Sequence, residues 1–153
     1  MGIRPIGWLM ATLLPAMVLL SLHASAASPQ ASMVSSDPEI LALGSRLFEQ
    51  NCSPCHGKQA VGEDPATPLG GVNANGVHLA PALNGTGHAW HHPPSYHVRI
   101  IRDGSTLKGS RMIGWGNRMT DFEILAVIAY FESLWPPHIK AAYQQRHLYR
   151  VWK

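Results

Sequence analysis

Apolar residues recur at helical spacing in three stretches of this chain, and between those stretches the periodicity disappears. Ile40, Leu43, Gly44, Leu47 and Phe48 stand three or four apart, which predicts a helix running to about residue 50. Asp37-Pro38-Glu39 is a start signal for it: an N-cap aspartate, a proline in the first turn, and a carboxylate beside the positive end of the helix dipole. A second, shorter helix is expected over SYHVRIIRDG, after Pro93-Pro94 and closed by Gly104. The clearest is TDFEILAVIAYFESLW, where Thr120 and Glu123 have the spacing of a capping box and Met119 and Ile124 that of a hydrophobic staple. Its segment ILAVIAYF, residues 124–131, carries no charge, so this helix is expected to be buried on more than one side. Pro136-Pro137 stops it, and HIKAAYQQRHLYRVWK beyond has only a weak helical pattern.

The intervening chain is of another kind. Residues 57–87 are rich in Gly, Pro, Asn and Ala without sustained periodicity, and STLKGSRMIGWGNRM, residues 105–119, is again irregular. So much irregular chain in a small domain argues against a packed sheet or helix bundle and for a chain wrapped around something. The fold class expected is all-α, with three to four short helices and long loops.

Before the first helix, Arg4 precedes an apolar run from Ile6 to Leu22, followed by Ala24-Ser25-Ala26. A cation, an apolar run and an AxA site make an export signal over 1–26, with an uncleaved anchor as the alternative. Residues 27–36 read as a flexible leader, 37–137 as one domain, and 138–153 as a C-terminal extension. The chain has 153 residues, with 12 basic and 9 acidic side chains and a net charge of +3. That is too mild, and too scattered, for a nucleic-acid surface.

Export gives weight to the two cysteines, the only ones present, in NCSPCHGK at 51–58. A disulfide between Cys52 and Cys55 would close a very short loop and stabilise little. Three chemistries remain. Cysteines at i and i+3 can reach both vinyl groups of one haem while the adjacent His56 presents an imidazole to the iron. A zinc site would use Cys52, Cys55, His88 and His92, but 32 residues separate Cys55 from His88, against about 12–15 in compact fingers. A thiol redox pair would need a strand before Cys52, and none is apparent.

For a histidine-ligated iron, Met33, Met112 and Met119 are the candidate sixth ligands of the mature chain. Met33 falls in the leader and Met119 in the staple, which leaves Met112, in a Gly-flanked loop; a histidine from the 88–97 cluster is the alternative. His88, His91 and His92 in GHAWHHPPSYH suit a polar loop over one cofactor edge with Trp90 packed on it, or else propionate contacts, copper or zinc binding, or pH tuning of potential.

Taken together these residues resemble the class I, monohaem cytochromes c of the bacterial periplasm, over about residues 37–137. The resemblance rests on Gly44, Phe48 and Cys52-Ser53-Pro54-Cys55-His56-Gly57, on AVIAYFESL, and on Met112-Ile113-Gly114-Trp115-Gly116, where Ile113 replaces the family's usual proline. It implies that Val127 and Tyr130 pack across Gly44 and Phe48. It also implies that the Pro81 carbonyl accepts the second ring N–H of the axial histidine, fixing its tautomer. One covalently attached haem c is expected, held by Cys52, Cys55, His56, Met112, Pro81 and Trp115, with His56 and Met112 as iron ligands.

The function implied is electron transfer between redox partner proteins rather than enzymic turnover. Rival readings are a subunit of a dehydrogenase or oxidase complex, a ligand-binding haem sensor, and a zinc-binding interaction module. Lys58, Lys108, Arg111 and Arg118 flank the ligand segments and are expected to steer an acidic partner.

Overall fold

The computed structural model describes residues 36–148, together with Gly2. The expected signal and leader, Met33 included, lie outside the described residues apart from Gly2 and Ser36, as do residues 149–153. Among the described residues the architecture is helical, with long connections and one two-residue ribbon.

Helix α1, Pro38–Asn51, begins as its sequence dictates: the Asp37 side chain accepts the Glu39 amide at 2.9 Å. Cys52 caps it, and a single further turn, α2 (Ser53–His56), follows at once, so Cys52 stands at the junction of the two helices and Cys55 within the second. Helix α4, Asp121–Ser133, has the full capping box, with the Glu123 amide on Thr120 Oγ1 and the Thr120 amide on Glu123 Oε2.

These two helices cross, and the crossing explains Gly44. A Cβ at that position would lie 2.0 Å from the Ala126 carbonyl oxygen, so only glycine lets the backbones approach this closely. Beside it the Phe48 and Tyr130 rings meet at 5.3 Å, and Phe48 is completely buried. Ile124, Val127, Ile128 and Phe131 complete the core face of α4 and Ala126, Ala129 and Glu132 are buried as well, so the helix is covered on more than one side, with Phe122 and Leu125 exposed. Helix α3, Pro94–Asp103, lies against α4 and buries His97 and Ile101.

The weak pattern after Pro136-Pro137 forms helix α5, Pro137–Tyr143, continued by a π-helical turn, Gln144–Leu148. Tyr143 is fully buried against Trp135, with ring centroids 4.8 Å apart. The irregular segment holds a ribbon that the absence of periodicity hid: β1 (Gly71–Val72) pairs antiparallel with β2 (His78–Leu79). Asn73 builds its turn, its side-chain oxygen accepting the amides of Asn75 and Val77. No helix among the described residues is long and apolar enough to cross a membrane.

Candidate functional site

Between α1, α3 and α4 and the two long loops lies a predominantly apolar cavity of about 410 Å³. Phe48, Ile100, Ile101, Val127 and Phe131 form its helical wall. Cys52, Cys55, His56, Pro81, Met112 and Trp115 all line it, so one space collects every residue expected to hold a cofactor.

The end of α1 and the turn α2 bring the sequence motif to the cavity edge, with Cys52 half-buried, Cys55 exposed and both thiols free. Burial, and secondarily the charge of Cys55, pushes the Cys52 thiol up to about 12, so its sulfur is a protonated thiol at neutral pH. His56 Nδ1 stands 2.8 Å from the Pro81 carbonyl. A carbonyl can only accept, so Nδ1 carries the proton and Nε2 is left with the lone pair a metal needs. Burial lowers the basicity of His56, opposed in part by the Pro81 carbonyl and the Glu63 carboxylate, and keeps the ring neutral.

On the Met112 loop, Gly104 ends α3 with φ +81°, and a Cβ there would meet the Gly114 amide at 2.7 Å. The loop is pinned to that point: the Ser105 amide donates to the Met112 carbonyl at 3.0 Å and the Trp115 amide to Ile101 at 2.9 Å. Met112 and Trp115 are half-buried, while Met119 is core, as its staple spacing suggests.

The histidine cluster divides. His88 and His92 line the cavity, their rings 5.5 Å apart, whereas His91 is exposed and packs on Trp90 at 3.9 Å. Among the described residues no three of His, Cys, Asp and Glu stand close enough to hold a metal ion, so Cys52, Cys55, His88 and His92 do not assemble as a zinc site. Of the four flanking cations, Arg111 pairs with Glu63 and Arg118 lies over the Trp115 ring at 5.4 Å. Lys58 and Lys108 are exposed.

Sequence reasoning passed over two carboxylates. Glu63, in the irregular segment, joins the Arg111 guanidinium to the Ala80 amide. Glu132 is completely buried on α4, its Oε1 3.7 Å from Nδ1 of His97, whose Nε2–H donates to the Ala89 carbonyl at 3.0 Å. A signal existed for Glu132, one residue past an uncharged helical run; for Glu63 there was none, because its partners are distant in sequence.

The residues suit a haem. A flat apolar group needs apolar walls, two thiols at one edge, a neutral imidazole with a fixed tautomer and a soft sulfur, and this cavity supplies each.

Comparison with known proteins agrees. The family model described as "Cytochrome C oxidase, cbb3-type, subunit III" matches residues 40–131, more than half of the chain. A curated relative, "Thiosulfate dehydrogenase" of Psychrobacter arcticus, is 33% identical over 98 residues, covering 64% of this chain and 27% of that protein. The chain thus spans about a quarter of that relative's length. No solved structure matches. From the cavity, the helix crossing and the family match together, the chain belongs to the cytochrome c family, whose domains bind haem c and transfer electrons through it.

Proposed function

We propose that this chain is an exported, single-haem electron carrier of the bacterial periplasm, with haem c bound covalently through Cys52 and Cys55 and its iron ligated by His56 and Met112. The observation that carries this reading is that all four residues line one apolar cavity, with the His56 Nδ1–H already held by Pro81. Haem c supplies a reversible one-electron couple at a potential that a methionine ligand raises.

The chain's residues do the rest. Pro81 orients the imidazole and strengthens it as a donor. Phe48, Val127 and Phe131 would keep water from a bound haem, favouring its state of lower net charge and so contributing to the potential. His56 and Met112 together would leave a haem iron no open site for a substrate, which suits transfer rather than turnover. Lys58 and Lys108 remain suited to steering an acidic redox partner, with Arg111 and Arg118 held closer to the protein surface.

A second reading has its own support: a relative named as a dehydrogenase matches over a quarter of its length, as a domain serving a larger enzyme would. The two differ in company, not in cofactor. Protein purified from an export-competent host should retain one haem per chain through denaturation and show a weak thioether-to-iron absorption band when oxidised. Loss of that band in Met112→Ala is the expected result; an unchanged spectrum refutes the ligand assignment and favours His88 or His92. Co-purification of a haem-free catalytic subunit would support the second reading over a free shuttle.

A further inference from the structure

The geometry points to Glu63 as a positioning residue that ties the Pro81 segment to the Met112 loop and thereby sets how readily the methionine yields its place on the iron. This rests on the His56 and Met112 reading above. Glu63 and Ala80 exchange two hydrogen bonds: the Glu63 amide donates to the Ala80 carbonyl, and the Ala80 amide donates to Glu63 Oε2, each at 3.0 Å. Ala80 immediately precedes Pro81, the residue whose carbonyl fixes His56. The same Oε2 accepts the Arg111 guanidinium, and Arg111 immediately precedes Met112.

One carboxylate oxygen therefore bridges the chain that orients one ligand and the chain that carries the other. Arg111 reinforces the bridge by reaching the His78 carbonyl at 3.4 Å, and the His78 amide in turn donates to Gly109 at 3.1 Å. The remaining bonds of Met112 are local: its amide donates to Ser110 Oγ at 3.2 Å and its carbonyl accepts from Ser105. They shape the loop without tying it to the Pro81 segment. Glu63 and Arg111 are the side chains that do so.

An exposed ion pair alone contributes little, but a carboxylate that also accepts a backbone amide gains from a fixed geometry. Arg111 first, and then the Ala80 amide, hold the Glu63 carboxyl below the usual carboxylate range, so the bridge is intact at neutral pH.

The test is displacement of the methionine by imidazole, followed in the oxidised holoprotein through the thioether band. Glu63→Ala should take up imidazole about two- to fivefold more tightly than the native protein, with far-ultraviolet helicity unchanged. Glu63→Gln, which keeps an acceptor for Ala80 but drops the charge facing Arg111, should fall between, and it carries the test if Glu63→Ala does not assemble. Combining Glu63→Ala with Arg111→Gln should give less than the product of the two single effects. Native imidazole affinity in both Glu63 variants, or strict multiplicativity, overturns the positioning role while leaving the ligand assignment standing. A thioether band missing from the native protein, or retained in Met112→Ala, overturns both.

Discussion

Gly44 and the pair His88 and His92 show how single positions bear on stability. A methyl group at Gly44 would be driven to 2.0 Å from the Ala126 carbonyl, an atom of the α4 backbone that cannot rotate away. Gly44→Ala is therefore expected to destabilise the holoprotein by about 3 kcal/mol, the upper part of the range for overpacking, despite alanine's better helix propensity. Thermal unfolding followed at 222 nm measures it, and a gain in melting temperature would count against the tight crossing. His88 and His92 act through protons. Burial lowers the basicity of both, and neighbouring histidines lower it further. The unfolded chain then binds more protons than the folded one as pH falls below about 6.5, so their contribution to stability is present above that pH and is lost through the window beneath it. Melting temperature should decline as pH drops from 7 toward 5, and His88→Gln/His92→Gln should flatten the decline. A slope unaltered by the double substitution would place the titrating groups elsewhere.

At the scale of elements, α4 is the one most fully written in the sequence. Thr120 and Glu123 satisfy each other's backbone amides in the structure, and Thr120→Ala should cost about 1 kcal/mol, read as a fall in denaturation midpoint without loss of haem. Caps, staples and periodic faces are local, depending on residues within one or two turns, and so α1, α3 and α4 are legible from the order of their residues. The crossing of α1 with α4 is legible too, through Gly44, Phe48 and Tyr130, because a missing side chain beside a pair of rings is a pattern that the family resemblance carries. The β1 and β2 ribbon is not. Its two-residue strands are too short to show alternation, and its register depends on the Asn73 turn. Glu63 is hidden for the same physical reason, since its meaning comes from Ala80 and Arg111, 17 and 48 positions away. Tyr143 shows a third kind of omission: α5 has a weak apolar pattern because one aromatic residue, not a stripe, anchors it to Trp135 and the His97 ring.

For the molecule as a whole, the decisive quantity is the volume at its centre. The walls of a cavity of about 410 Å³ belong to the same side chains that form the core, Phe48, Val127 and Phe131 among them. The pocket opens to solvent, so without a group to fill it water would wet the apolar side chains that line it, and their burial would no longer stabilise the fold. The helices alone cannot offset that, because the loops between residues 57 and 87 contribute few fully buried side chains of their own. A group seated there would then serve the fold as well as carry the redox chemistry. Cys52→Ala/Cys55→Ala, which removes both thiols, should yield a chain that carries no covalent haem and has lost most of its far-ultraviolet helicity. Added free haem should restore part of it, because His56 and the apolar walls remain. Native-like helicity in the double variant before any haem is added would mean that the cavity closes by collapse of the loops, and that the α1 and α4 crossing suffices to hold the domain together.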